Sequence, residues 1–234
     1  MTCLEISRRI LERIDDDPDD PSSATEAEVI AAIQEGQELM ALLTLCLETT
    51  ATLTLAASTP FASMRGTFPN FLVPLRMQIG GVRVRPATLA DLDSLNDAWQ
   101  STAGTPTRYG TAGFNFFWVT PQPTVSTDAD LTYAKSPAPM VQDDFPEVPV
   151  AYHMSLVRYG VYKVRLKEGA QGLERGVVEL NRFLDDCQQL GDFVRAKSQA
   201  ARYDVLPFEL KLYDRSRLIA KVKEKAWQRN TPPQ

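Results

Sequence analysis

TEAEVIAAIQEGQELMALLTLCLETTATLTL, residues Thr25–Leu55, changes its hydrophobic period part-way along, and that change decides the fold class. Thr25 followed three residues later by Glu28 is a capping box, the local signal that opens a helix. Val29, Ile33, Met40, Leu43 and Leu47 then mark one stripe of a helix reaching about Glu48. Gly36 interrupts that stripe, which points to another backbone coming close. From Leu53 the period is two, with Leu53 and Leu55 alternating with Thr52 and Thr54. A helical period that gives way to a run of short strands is an α+β pattern.

Upstream, Ile6, Ile10 and Ile14 recur every fourth residue before Asp15–Ser23 breaks the pattern with Pro18, Pro21 and a run of aspartates. Downstream, Leu75, Met77 and Ile79 alternate up to Gly80-Gly81, and Val82 and Val84 continue beyond, which predicts a hairpin. Thr88 to Trp99 reads as a short helix capped by Thr88 and Asp91. Phe114, Phe116 and Trp118 alternate again, as do Leu131 and Tyr133, and Pro121, Pro123, Pro137 and Pro139 punctuate the end of the block. After Pro149 the helical period returns, with Tyr152, Leu156, Tyr159 and Lys163 on one face of a helix ending near Gly169. A longer helix from about Gln171 to Arg202 carries a coiled-coil-like seam of Leu173, Val177, Leu180, Leu184, Cys187 and Val194, with Gly191 in its one gap. The expected architecture is a helical bundle interrupted by a small antiparallel β-sandwich or barrel, followed by an extended C-terminal arm. Residues 1–50 and 148–203 supply the two halves of the bundle, 51–147 the inserted β domain and 204–234 the arm.

The arm reads differently from the rest. Leu206, Phe208, Leu210 and Leu212 alternate with Pro207, Glu209 and Lys211, a strand with no mate in its own neighbourhood. A basic helical stretch follows, with Leu218, Val222 and Trp227 as its apolar anchors. Lys211, Arg215, Arg217, Lys221, Lys223, Lys225 and Arg229 stand there against Asp214 and Glu224, seven positive charges to two negative. Residues 1–28 are the opposite, with nine carboxylates against three arginines. Such an arm is either disordered or completed by another molecule.

Composition excludes several functions. The 234 residues carry a net charge of −5, so the protein as a whole should not coat nucleic acid or anionic membrane. No apolar run approaches the roughly 20 residues that span a bilayer. The first fourteen residues lack the charged-then-apolar order of a signal peptide, so synthesis in a reducing cytoplasm is the default. Cys3, Cys46 and Cys187 are odd in number and far apart, and read as small buried hydrophobes. His153 is the only histidine, which rules out an imidazole-built catalytic or metal site within one chain. Asp15, Asp16, Asp17, Asp19 and Asp20 lack the glycine and closing glutamate of an EF-hand, and read as a solvated loop. Asp143, Asp144 and Glu147 have the residue types of an acid–base pair, but their Pro-rich setting reads as a linker. The aromatic row Phe114, Phe116, Phe117 and Trp118 has no interleaved basic residue, so it reads as β-domain core rather than a base-stacking platform. The stretch RPATLADLD lacks any glycine-rich phosphate loop. The expectation is a protein that is not an enzyme and needs no metal, nucleotide or other cofactor.

Six segments in order carry a further signal. They are FPNFLVPLR (Phe68–Arg76), RPATLADLDSLNDAW (Arg85–Trp99), GTPTRYGTAGFNFF (Gly104–Phe117), TYAKSPAPM (Thr132–Met140), PEVPVAYH (Pro146–His153) and YGVYKVRLKEG (Tyr159–Gly169). With the opening helix and TEAEVIAAIQEGQ (Thr25–Gln37), they resemble the adaptor, or head–tail connector, proteins of tailed bacteriophages, including the tail tubular protein A-like group. The resemblance covers roughly residues 1–210. It implies a structural virion protein at the head–tail junction, made in the cytoplasm of a bacterial host. Such proteins assemble as a ring, commonly a dodecamer, below the portal; the ring extends the DNA channel and supports the next tail or neck component. DNA would pass without specific binding, no membrane would be involved, and the family has no catalytic residues to carry over. Two readings compete with this one. A DNA-contacting packaging accessory protein would use the basic tail, and a hydrolytic tail enzyme would use the carboxylates.

Overall fold

The computed structural model describes residues 1–64, 68, 70–112 and 116–207. In chain order its elements are α1 (Cys3–Arg13), α2 (Glu26–Thr44), β1 (Glu48–Leu55), β2 (Phe61–Ser63), β3 (Phe71–Ile79), β4 (Val82–Pro86), α3 (Leu89–Leu95), β5 (Arg108–Ala112), β6 (Phe116–Thr120), β7 (Thr127–Lys135), α4 (His153–Arg165) and α5 (Ala170–Ala201). Short 3₁₀ turns at Val150–Tyr152 and Leu166–Glu168 flank α4. The fold is α+β. It divides into a helical unit, Met1–Cys46 with Pro137–Val194, and a β unit, Leu47–Ser136 with Arg195–Leu206.

In the helical unit the starts of α1 and α2 are dictated locally. Thr2 accepts the Glu5 N–H at 3.2 Å while Glu5 accepts the Thr2 N–H at 2.9 Å, and Thr25 and Glu28 repeat the exchange at the head of α2. Ile6 and Ile10 are fully buried and Ile14 nearly so, packed with Val29, Ile33, Met40, Leu156, Phe183 and Cys187 in one core. Close approach of α1 and α4 depends on Gly160, where a Cβ would lie 2.2 Å from Ile10 Cδ1. Gly36 has the same kind of role with a different neighbour from the one expected. It admits the ring of Tyr159, whose Cδ1 would be 2.8 Å from an added Cβ, and not a backbone.

Two expectations for this unit need correction. Helix α2 stops at Thr44 rather than about Glu48, because Leu45 turns into the left-handed region (φ 52°) and Leu47 already belongs to the sheet, its carbonyl accepting the Lys135 N–H at 2.9 Å. On α5 the buried line runs through Gly172, Gly176, Phe183, Cys187 and Leu190, so Leu173, Val177 and Leu184 of the expected seam are only half-buried. The glycines make the tightest contacts, since a Cβ on Gly172 would lie 2.2 Å from the Arg165 carbonyl. A periodicity built from large apolar residues passes over them.

The β unit is one seven-stranded sheet in the order β1-β7-β3-β4-β5-β6-β2, curled as a half-barrel. Gly80 and Gly81, both at positive φ (55° and 79°), form the two-residue turn of the expected hairpin between β3 and β4. The sheet is mixed where an antiparallel sandwich or barrel was expected, because β4 pairs with β5 in parallel. Parallel neighbours need a crossover, and the segment holding α3 provides it. Curling gathers Leu53, Met77, Val84, Tyr109, Phe117 and Leu131 from six strands into one cluster. Trp118 points the other way and is covered by Leu92 and Trp99 from the crossover. Adjacent residues of β6 are therefore both buried.

Candidate functional site

The residue that opens the expected arm, Asp204, sits in the most elaborate polar site of the β unit. Its carboxylate, only 3% exposed, pairs with the Arg83 guanidinium on β4 and accepts the Tyr109 hydroxyl of β5 at 2.6 Å. Its N–H donates to the Leu75 carbonyl of β3 at 2.7 Å. Tyr109 is stacked on Phe117 with ring centroids 5.3 Å apart. Burial, and then the hydrogen bond to Asp204, push its hydroxyl far above the ordinary tyrosine range. Seven residues earlier Lys197 pairs with Glu48 at the start of β1, and that carboxylate raises the lysine's pKa. The chain is thus latched to four strands, β1, β3, β4 and β5, up to Asp204, and Pro207 is buried.

Of the expected docking residues, Leu206 is 39% exposed and outside any strand. Phe208, Leu210, Leu212, Leu218, Val222 and Trp227 lie outside the described residues, as do Lys211, Arg215, Arg217, Lys221, Lys223, Lys225 and Arg229. The Asp204 latch was not foreseen. A lone aspartate between Tyr203 and an alternating run carries no pattern, and its partners lie 121 and 95 residues away in sequence.

Three of the acidic residues singled out in the sequence organise backbone. Asp16 accepts the N–H groups of Ser22 and Ser23, at 3.1 and 2.8 Å, and these donors hold its pKa at about 2. Asp144 accepts the Val141 N–H at 2.9 Å and Glu147 accepts the Ala138 N–H at 2.8 Å. His153 is buried with Nε2 against the Val148 carbonyl at 3.1 Å, and burial lowers its pKa. Burial likewise raises the thiols of Cys3, to about 11, and of Cys46 and Cys187. In the aromatic row, Phe117 and Trp118 are core, Phe116 is half exposed, and Phe114 lies outside the described residues. Among the described residues no group of three His, Cys, Asp or Glu is placed to hold a metal ion, and no helix is long and apolar enough to cross a membrane.

One open cleft of about 510 Å³ lies in the helical unit, between the start of α2 and the loop that precedes α4. Ile30 and Met140, both packed against the core, line its apolar part together with Val141, and Glu26 and Asp143 supply carboxylates. The loop wall is fixed by backbone bonds from the N–H groups of Cys3 and Leu4 to the carbonyls of Asp144 and Gln142, at 2.8 and 3.0 Å.

The sequence model of the SU10 adaptor protein family matches residues 1–205. The chain belongs to that family. It is accordingly a phage adaptor, a structural protein of virion assembly, as its resemblance to head–tail adaptors implied. The family is structural and not enzymatic, and its place is the virion neck. No curated protein matches the chain. Notably for the arm, the matched stretch ends one residue past Asp204. The latch lies inside the SU10 adaptor pattern, and Leu206 and the basic segment lie beyond it.

Proposed function

We propose that this SU10-family adaptor assembles as a ring, twelvefold as in the tail tubular protein A-like group, between the portal and the next tail or neck protein. Copies of the helical block contact one another and the central channel passes DNA without specific binding. The observation that carries this reading is the family match, which spans residues 1–205 and so takes in all but the last described residues. Residues beyond Pro207 serve as the docking arm toward the portal or a neighbouring copy. In that arm Leu206, Phe208, Leu210 and Leu212 would add as a strand to a sheet edge, and Leu218, Val222 and Trp227 would fill a groove. The four-part division into 1–50, 51–147, 148–203 and 204–234 belongs to the same proposal, with the docking part beginning beyond Pro207.

Size-exclusion chromatography with mass measurement, with and without purified portal, tests the ring. A monomer or small oligomer that converts to a defined ring on the portal is the expected result, and a chain that stays monomeric with the portal present refutes it. The excess of five positive charges in the tail favours one alternative, a packaging accessory that touches DNA. That alternative requires salt-sensitive DNA binding by the isolated protein.

A further inference from the structure

We infer that the cleft beside the head of α2 is the acceptor for the basic C-terminal segment, Asp214–Arg229, of a second copy of this chain. The inference rests on the ring reading. A ring of identical copies that meet head to tail needs two different, complementary patches on every copy. The cleft and the segment are complementary in charge and in apolar character. Glu26 and Asp143 line the cleft beside an apolar floor of Ile30, Met140 and Val141. The segment offers six lysines and arginines against two acids, spaced around Leu218, Val222 and Trp227. A volume of about 510 Å³ accommodates an indole with a neighbouring aliphatic side chain.

Three observations make this surface a built acceptor. Its loop wall is held by backbone bonds to the first turn of α1, so little ordering is needed on binding. Apolar surface continues outward from it, since Val141 and Phe145 on that loop are 66% and 65% exposed. The local field is negative, since Asp144 and Glu26 add to burial in raising the Cys3 thiol.

The test is a charge swap in the full-length protein. Gln142→Lys with Asp143→Lys makes the cleft basic; both side chains are exposed, and the backbone carbonyl of Gln142 that caps α1 is kept. Lys221→Glu, Lys223→Glu and Lys225→Glu together make the segment acidic, three positive charges against five negative. Circular dichroism checks that both variants fold, and sedimentation velocity on purified portal reads ring formation. Each variant alone should associate at least about tenfold more weakly than the wild type, while an equimolar mixture of the two should recover assembly, since every junction can then join opposite charges. Wild-type rings from each variant alone would overturn the inference. So would recovery only when both changes sit in one chain, which would mean that the segment folds back on its own cleft. Failure of the unsubstituted protein to form a ring on the portal refutes the ring reading instead, and the two failures are thereby distinct.

Discussion

Replacing Asp204 with alanine removes both side-chain bonds of the latch while sparing the backbone bond to Leu75. The two lost partners differ in what they can do next. Arg83 is 37% exposed, so its guanidinium regains water and its pairing counts near the surface value of about 0–1 kcal/mol. Tyr109 is 1% exposed and stacked on Phe117, so its hydroxyl is left buried with no acceptor, at a cost of about 1.5–3 kcal/mol for a bond to a charged group. The sum is about 1.5–4 kcal/mol. Urea unfolding followed by the fluorescence of Trp99 and Trp118, both buried in the β unit, measures it in a Trp227→Phe background. Tyr109→Phe should cost less, because it removes the donor together with the need for an acceptor. The double variant should show a coupling of about 1–2 kcal/mol. A loss under about 0.5 kcal/mol for Asp204→Ala, with additive single effects, would refute the latch. The outcome also decides how the arm is studied: truncation after Tyr203 removes the latch and weakens the β unit, whereas truncation after Pro207 removes the arm alone.

Truncation after Pro207 should leave the urea midpoint unchanged and reduce portal binding, and Trp227→Ala should carry the largest single share, on the order of 2 kcal/mol if its indole is buried at the interface; unchanged binding by the truncated chain would end the docking-arm reading. Gly160→Ala should destabilise the helical unit by about 1–3 kcal/mol, since Ile10 Cδ1 occupies the space of the new methyl, and a melting temperature equal to wild type would show that the α1–α4 approach is looser than described. Asp16 and Glu28 have folded-state values of about 2, below the ordinary carboxylate value, so their contribution is full above about pH 4 and is lost as pH falls through 2. Asp16→Asn and Glu28→Gln should each flatten the acid limb of a circular-dichroism titration between pH 4 and 2, and an unaltered limb would contradict the assignment. For His153 burial lowers the folded pKa, so stability should fall as pH drops below about 6.5, where the unfolded chain takes up a proton that the folded chain refuses; His153→Gln should remove that slope.

What the sequence made legible follows the range of the interactions involved. Helix starts at Thr25 and Thr88 were readable because donor and acceptor stand three residues apart, and the Gly80-Gly81 turn because its backbone demand falls on the two glycines themselves. The face of α1 was readable because Ile6, Ile10 and Ile14 bury themselves whatever they meet. Features set by distant partners were not readable. The parallel pairing of β4 with β5 depends on where the crossover through α3 returns. The buried line of α5 is drawn by glycines whose importance lies in the backbone of α4. Asp204 is the sharpest case. The alternation from Leu206 onward made the arm visible, yet its point of departure is set by a carboxylate whose partners are on β4 and β5. A buried carboxylate is tolerated only where fixed donors meet it, so the site holds the chain in one register on the sheet. The family match ends at residue 205, so the latch lies inside the adaptor pattern and the basic segment, where the docking proposal sits, lies beyond it.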